Sequence, residues 1–288
     1  MKTALILEGG GMRCLYTAGV IDVLMKNNIN FHTIAGVSAG ALFGINYKSK
    51  QIGRVLRYNL KYAGISENLG FKSLVKTGDL MSKQFYFDDL PYKLDVMDDE
   101  VYKNNPTEFY AVVSNLNTGL AEYKSVYDIK NYECMECLRA SGSLPFVSKP
   151  VIINNIPYLD GGVCDSIPVK HYLDEGFDRI IAVLTRPKGY RKKGNIHLAH
   201  TFYKDYPEFA EALKNRNRCY SEQCDLVDKL EKENKIFVIR PTETIKINTT
   251  EKRKQVLQAA YDLGEKDCSV KINELFDYLE VRYDEKRL

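Results

Sequence analysis

The sequence predicts an α/β protein built on a parallel β-sheet, and two observations favour this fold class. Over about the first forty residues, short apolar runs alternate with segments of helical periodicity. A strand, a crossover helix and a second strand this close together form a βαβ unit, whose strands are parallel. The 288 residues also allow one large α/β domain or two modest ones, with no need for a disulfide or a metal ion to hold the core.

Four elements follow one another at the start of the chain. Residues 4–7 form an apolar run that ends in three glycines, which suits a buried parallel strand. Apolar residues at helical spacing predict a helix over residues 12–25, followed by a strand over 33–37 and a helix over 39–46. The turns after the two strands therefore lie at one edge of the sheet.

The rest of the chain carries further strand and helix signals. Residues 51–100 hold few strand signals and are predicted to form a lid or a substrate-facing region. The other predicted elements are hairpins with strands at 109–114 and 120–123 and at 151–153 and 156–159, buried strands at 179–185 and 235–239, and charged helices at 207–234 and 250–281.

The composition excludes several classes of protein. Hydrophobic residues make up 44% and charged residues 27%, as in ordinary globular proteins. Lysine and arginine number 41 against 38 acidic residues, and this excess of three does not indicate a nucleic-acid partner. No apolar run approaches the ~18–20 residues that span a bilayer, and the apolar start is too short for a signal peptide. Disordered, collagen-like and transmembrane classes are excluded.

The seven cysteines do not have the spacing of a disulfide framework. Cys134 and Cys137 form the one close pair and are predicted to lie inside a helix, without the further ligands that a zinc site requires. We expect reduced thiols and a cytoplasmic location.

A candidate nucleophile stands in a G-x-S-x-G pattern between the second predicted strand and the helix after it, at Gly36-Val37-Ser38-Ala39-Gly40. A strand-to-helix turn this sharp strains its middle residue and needs small neighbours, and it presents the serine beside the free N–H groups of a helix N-terminus. The alternative interpretation is a helix cap with Ser38 at the N-cap position.

Asp160 is the better candidate for the base that activates this serine. A strand runs directly into it, and Gly161 and Gly162 let the backbone turn at once, which delivers a carboxylate to a strand end. The alternative is a plain Asp-Gly turn. None of the four histidines lies in a histidine-bearing turn after a strand, and surface or core roles are expected for His32, His171, His197 and His200.

The first strand is joined to its helix by the segment Gly9-Gly10-Gly11-Met12-Arg13. A dinucleotide fingerprint would need a third glycine where Cys14 stands, and a P-loop would need Gly-Lys-Ser/Thr. Consecutive glycines at a helix N-terminus can instead expose N–H groups to the negative charge that develops on a carbonyl oxygen. Tight packing of helix on strand is the remaining alternative.

Four stretches together resemble the patatin-like phospholipase family. They are Glu8-Gly9-Gly10-Gly11-Met12-Arg13, Gly36-Val37-Ser38-Ala39-Gly40, Ala140-Ser141-Gly142-Ser143-Leu144-Pro145 with Pro150, and Asp160-Gly161-Gly162. Residues 184–190 and 237–241 are similar to the bacterial cytosolic subgroup. The resemblance implies a three-layer α/β/α fold around a mainly parallel sheet, with a catalytic domain over residues 1–190. A mainly helical region with one strand, over 191–288, is expected to pack on the same domain.

The resemblance also implies a Ser–Asp dyad that works without histidine. By position, Ser38 is the nucleophile and Asp160 the base, Gly36, Gly40, Gly161 and Gly162 support them, and Arg13 supports the glycine loop or meets a phosphate. The implied oxyanion hole consists of N–H groups in the Gly9–Gly11 loop, with Met12 and Ala39 as additions. One residue departs from the family pattern, since Cys14 stands where glycine is usual.

The predicted function is therefore hydrolysis of carboxylic esters in lipids, by way of an acyl-enzyme and with no metal or organic cofactor. The expected partners are a lipid or acyl-ester substrate and, transiently, a membrane surface; the oligomeric state stays open. Five of the eight residues at 186–193 are basic and could meet anionic headgroups, although a solvated loop is the simpler interpretation. A lipid-binding protein without activity and a nucleotide-binding domain are the alternatives.

Overall fold

The computed structural model describes residues 1–65 and 67–280 of the chain. Within these residues, eight strands form a single sheet. The strands are β1 (Thr3–Leu7), β2 (Thr33–Val37), β3 (Glu108–Asn115), β4 (Ala121–Ser125), β5 (Val151–Ile153), β6 (Ile156–Asp160), β7 (Arg179–Val183) and β8 (Phe237–Ile239).

The centre of the sheet is parallel. Its order is β5-β6-β3-β2-β1-β7-β8, and β4 pairs with β3 outside this path. β3, β2, β1, β7 and β8 run parallel, while β4 and β6 are antiparallel to β3 and β5 is antiparallel to β6. Leu7 pairs with Gly36, so the glycine loop after β1 and the serine turn after β2 leave the sheet side by side.

Helices connect and cover the strands. A 3₁₀ turn at Gly11–Cys14 precedes α1, another occupies Gly161–Val163, and a π-helical segment occupies Gln84–Leu94. The α-helices are α1 (Leu15–Lys26), α2 (Ala39–Lys48), α3 (Arg54–Tyr62), α4 (Phe71–Thr77), α5 (Asp99–Asn104), α6 (Tyr132–Ser141), α7 (Val169–Asp174), α8 (Ala199–Phe202), α9 (Pro207–Lys232) and α10 (Lys254–Leu279).

The alternation of side chains along β1 divides the core into two layers. Leu5 and Leu7 pack with α1, α2, α6 and α10 on one face of the sheet. Ala4 and Ile6 pack with α7 and α9 on the other face. Both faces of a parallel sheet are thus buried, as its continuous apolar strands require. The predicted three-layer α/β/α fold is confirmed.

The predicted strands all occur, with small shifts at their ends: β7 ends at Val183 rather than at residue 185, and β8 begins at Phe237 rather than at residue 235. The first helix begins as a 3₁₀ turn, and its α-helical part starts at Leu15. The final helix ends at Leu279 in the described residues. The predicted end at Val281 and the rest of 281–288 lie outside them.

The described part of the region over residues 51–100 contains α3, α4, the π-helical segment and the start of α5. Cys134 and Cys137 lie within α6, and all seven cysteines are free thiols. In the described part of the chain, no helix has both the length and the apolar character that crossing a membrane demands.

Candidate active site

Ser38 occupies the turn between β2 and α2 in a strained backbone conformation. Its φ of 56° and ψ of −130° are rarely adopted by a non-glycine residue and match the strain expected of this turn. The turn is held by a hydrogen bond from the Ser38 N–H to Ser141 Oγ, at 2.9 Å. The Ser38 side chain makes no helix-capping bond. The alternative role as a helix cap is therefore not what this hydroxyl performs.

Asp160, the last residue of β6, accepts a hydrogen bond from the Ser38 hydroxyl. Ser38 Oγ lies 2.5 Å from Asp160 Oδ2, and the other carboxylate oxygen accepts the Gly162 N–H at 2.8 Å. The residue is only 1% exposed. Burial raises the pKa of Asp160, and the Arg216 charge, the Ser38 hydroxyl, the Gly162 N–H and the Lys192 charge oppose that rise. The Gly162 N–H thus orients the carboxylate through one oxygen, and the other oxygen binds the Ser38 hydroxyl.

The glycines around the pair leave no room for side chains. A Cβ at Gly36 would lie 2.4 Å from Ala41 Cα, and one at Gly40 would lie 2.4 Å from the Leu7 carbonyl oxygen. A Cβ at Gly161 would lie 2.2 Å from the Val112 carbonyl oxygen. These residues permit the close approach of β1, β2, α2 and the turn after Asp160, which brings serine and carboxylate together.

The glycine loop lies beside Ser38 with free backbone donors. In the described residues, the N–H groups of Gly10, Gly11 and Ala39 donate to no protein acceptor. Gly9 packs directly under the serine, since a Cβ there would lie 2.8 Å from Ser38 Cβ. The Met12 N–H differs, because it donates to the Thr249 carbonyl at 3.2 Å. The expected donor at Met12 is therefore already occupied.

Glu8 fixes this loop and was not singled out by sequence reasoning. Its buried carboxylate accepts the Thr185 N–H at 2.6 Å and the Tyr220 hydroxyl at 2.8 Å. The loop after β1 is thus tied to the end of β7 and to α9. The Cys14 thiol, 3.5 Å from the Glu8 carbonyl oxygen, donates back to the start of the loop. The departure from the family pattern at Cys14 is accommodated by a buried hydrogen bond.

Ser38 stands where two cavities meet. One, of about 110 Å³, is lined by apolar side chains of α2, α6 and the 51–100 region, including Leu42, Leu138 and Phe87. The other, of about 400 Å³, contains Asp160 and charged side chains. Ser38 and Gly11 line both. Side chains of the 51–100 region line the smaller cavity, and the substrate-facing role of this region stays a prediction.

The basic segment over 186–193 is not a uniformly solvated loop. Arg191 pairs with Asp225 and Asp228 on α9. Arg186 and Lys192 instead line the larger cavity. The interpretation as a solvated loop is wrong for these two residues, because the acidic side of α9 holds the segment against the cavity.

The histidines lie elsewhere. His32 Nδ1 contacts Thr3 at the opposite end of β2, and the His171 ring stacks on Tyr123 at 3.7 Å. His200 contacts Glu211. Among the described residues, no histidine lines either cavity. A group of side chains able to hold a metal ion is likewise absent from the described chain.

A family model for patatin-like phospholipases matches residues 5–173, more than half of the chain, from within β1 to within α7. The chain belongs to the patatin-like phospholipase family. The resemblance carried by the four motifs is confirmed. A second model, for a domain of unknown function, matches residues 206–280 of this family member.

Several curated proteins are similar to this family member. The uncharacterized protein YjjU of Escherichia coli is 27% identical over 191 residues, which is 65% of this chain and 52% of YjjU. Lysophospholipase nte1 of Emericella nidulans is 27% identical over 200 residues, 62% of this chain and 12% of nte1. The probable lipid hydrolase 463L of Invertebrate iridescent virus 6 is 24% identical over 225 residues, 69% of this chain and 74% of that protein. The chain thus spans about half of the first relative and a small part of the second.

Among solved structures, VipD from Legionella pneumophila superposes with a TM-score of 0.46 and 13% identity, over 95% of this chain and 67% of VipD.

Proposed function

We propose that this protein is a serine acyl hydrolase that cleaves carboxylic ester bonds of lipids. The observation that carries the proposal is the 2.5 Å hydrogen bond from Ser38 Oγ to Asp160 Oδ2, at the junction of an apolar and a polar cavity. Family membership and the relatives described as lysophospholipase and probable lipid hydrolase support the same class of substrate.

The first half of the reaction makes an acyl-enzyme. Ser38 Oγ attacks the ester carbonyl carbon while its proton moves to Asp160 Oδ2. Burial raises the pKa of Asp160, which makes its carboxylate a stronger base than an exposed aspartate. The bond to the leaving alcohol then breaks, and the alcohol takes the proton from Asp160. The acyl group remains on Ser38.

The negative charge on the carbonyl oxygen needs donors that are already in place. Within the described residues, the N–H groups of Gly10, Gly11 and Ala39 have no acceptor, and they lie at the start of a 3₁₀ turn and of α2. Donors fixed in advance stabilise the tetrahedral state without reorganising during the reaction, and loss of one typically costs about 10²–10³ in rate.

The second half of the reaction releases the acid. A water molecule gives a proton to Asp160 and attacks the acyl carbon, forming a second tetrahedral state in the same oxyanion hole. Its collapse frees the fatty acid, and the proton returns to Ser38. No metal or organic cofactor enters either step.

Three further points belong to this proposal. We assign catalysis to residues 1–190, with the described residues 191–280 packed on the same domain and closing the site through Thr249. The seven free thiols support a cytoplasmic location. Phe146 and Phe202, 40% and 60% exposed and in contact with each other near the larger cavity, support transient contact with a lipid surface.

The decisive experiment is labelling with a fluorophosphonate, which reacts with activated serines. We expect one adduct at Ser38, absent in Ser38→Ala, together with hydrolysis of a monoacylglycerol that Ser38→Ala loses. Ser125→Ala, at an exposed serine on β4, is the control and should label normally. A folded wild-type protein with neither adduct nor ester turnover would instead indicate a lipid-binding protein without activity.

A further inference from the structure

Four basic side chains converge on the larger cavity beside Ser38. Arg13 follows the glycine loop, Arg186 and Lys192 follow β7, and Arg216 lies on α9. All four are partly buried. Their mutual proximity affects their titration: after burial, the charges of Arg216, Arg13 and Arg186 lower the pKa of Lys192 to about 8, against the opposing effect of Glu8. Burial and the Arg186 charge lower the pKa of Arg13.

Within the described residues, no acidic side chain pairs with this cluster. Among the described residues, none of the four side chains forms an ion pair, although 24 other ion-pair contacts are present. The buried Nε of Arg13 has no hydrogen-bond partner in the described chain. A buried donor left unpaired costs free energy, unless a ligand supplies the acceptor. The cluster is therefore arranged for a group that arrives from outside.

Two carboxylates also face the cavity, but both are used by other donors. Glu8 accepts hydrogen bonds from Thr185 and Tyr220, and Asp160 accepts hydrogen bonds from Ser38 and Gly162. Four cations against two carboxylates leave an excess of two positive charges around a polar space of about 400 Å³. A dianion matches that excess.

The residue types specify the anion further. Three of the four cations are arginines, whose planar guanidinium groups suit the bidentate geometry of phosphate. Arg216 is oriented by a 2.6 Å hydrogen bond from its Nε to the carbonyl of Gly162, two residues after Asp160. The phosphate site and the ester site are thus linked by one short turn, as they must be if both bind parts of a single lipid.

We propose that this cavity binds the headgroup of the substrate and selects lipids whose headgroup ends in a phosphate monoester over lipids with a zwitterionic headgroup. The inference rests on the proposed ester hydrolysis at Ser38. It assigns a role to the segment of unknown function, because Arg216 and the Thr249 backbone contact come from residues 206–280. A quaternary ammonium headgroup would meet four like charges in the same space.

The test compares three monomeric substrates with one and the same acyl chain: a lysolipid ending in phosphate, a lysolipid ending in phosphocholine, and a monoacylglycerol. For the wild type we expect kcat/KM to favour the terminal phosphate over phosphocholine by on the order of tenfold or more, mainly through KM. Arg186→Gln and Lys192→Gln should each reduce that ratio several-fold. Lys193→Gln, at an exposed lysine of the same segment, is the matched control and should keep it.

The outcomes separate the two proposals. If the monoacylglycerol and both lysolipids are hydrolysed equally well, the headgroup site is wrong and the proposed ester hydrolysis stands. If no ester is turned over and no serine adduct forms, both are overturned. A preference that survives in both cavity variants but falls in Lys193→Gln would place the selectivity on the outer surface and also contradict the assignment.

Inorganic phosphate distinguishes a headgroup site from a site for a free effector. As a headgroup site, the cavity should bind phosphate in competition with the phosphate-ending lysolipid, which raises the KM for that substrate. Activation of monoacylglycerol hydrolysis by phosphate, without any headgroup preference among the lipids, would identify a free effector and overturn the headgroup assignment.

Discussion

The two cavities that meet at Ser38 differ in chemistry and in where their residues come from. The smaller one is apolar and is lined almost entirely by residues within 5–173, the part that matches the family model. The larger one is cationic, and three of its four basic residues, Arg186, Lys192 and Arg216, lie beyond residue 173. The apolar cavity thus belongs almost entirely to the region that matches the family model, while most of the basic residues of the larger cavity come from later segments.

This difference has a physical consequence for what each cavity can discriminate. Apolar burial is non-directional and contributes about 0.8 kcal/mol per CH₂. The smaller cavity can therefore discriminate between acyl chains only by their length. Charged, oriented donors distinguish headgroups by sign and geometry, so the larger cavity can reject a whole class. Variants at the junction should therefore affect every substrate alike, and variants in one cavity should change only one preference.

The largest effect is expected at the junction itself. Asp160→Asn keeps the shape of the side chain but removes the base, and kcat should fall by about 10³ for short and long acyl esters alike. Because burial raises the pKa of Asp160, wild-type kcat should fall as the pH drops through a value above that of an ordinary aspartate, and the variant should lack this acidic limb. His171→Asn, outside both cavities, is the control for a histidine base and should retain turnover. Full turnover in Asp160→Asn would refute the dyad.

The next effect concerns Gly11, a proposed oxyanion donor that lines both cavities. Gly11 has a φ of +57°, and a Cβ there would lie 2.6 Å from Thr249 Cγ2. Gly11→Ala should displace the loop and lower kcat by about 10², with KM changed far less. Gly176→Ala is the matched control, since Gly176 has a φ of +76° but, among the described residues, no atom within 4 Å of its added Cβ. It should cost stability and no activity; equal losses of kcat in both variants would mean that strain alone explains the effect.

A smaller effect should be confined to the apolar cavity. In the wild type, kcat/KM should rise about threefold to fourfold per CH₂ until the cavity is filled, since each buried CH₂ is worth ~0.8 kcal/mol. Leu42→Asn places a polar amide in that cavity and should flatten the series, while headgroup preference stays unchanged. Leu56→Asn, at a partly buried leucine that does not line the cavity, is the control. An unchanged length series in Leu42→Asn would move the acyl chain elsewhere.

The sequence alone predicts the two residues that meet at the junction of the cavities, but it does not predict the charged cavity. Ser38 and Asp160 each sit in a local strand–turn pattern, and the βαβ topology brings such turns to one edge of the sheet. Arg216 carries no such signal, because it reaches the site from a long charged helix whose periodicity marks only its buried face. The sequence predicts a solvated position for Lys192, because the orientation of this residue depends on the acids of α9 that pair with Arg191.

The smallest effect tests the cost of leaving the cationic cavity unpaired. Lys192→Met removes one of four converging charges and should raise Tm at pH 7 by about 1–3 °C, while weakening the preference for a phosphate headgroup. In the wild type, Lys192 Nζ lies 3.9 Å from the centre of the Tyr220 ring, and this cation–π contact stabilises the charged lysine. Loss of the contact in Lys192→Met should offset part of the gain in Tm.

The dependence of this gain on pH identifies its cause. The pKa of Lys192 is lowered to about 8 in the folded protein by burial and by Arg216, Arg13 and Arg186, with Glu8 opposing. Between that pH and the ordinary range of lysine, the unfolded chain holds a proton that the folded chain has released, so the folding penalty decreases as the pH rises. The difference in Tm between Lys192→Met and wild type should be full at pH 7 and shrink toward pH 10. The other titratable groups are the same in both proteins, so their effects on Tm cancel in this difference. A gain of equal size at both pH values would mean that the methionine packs better, and that the four cations at this cavity impose no electrostatic strain on the fold.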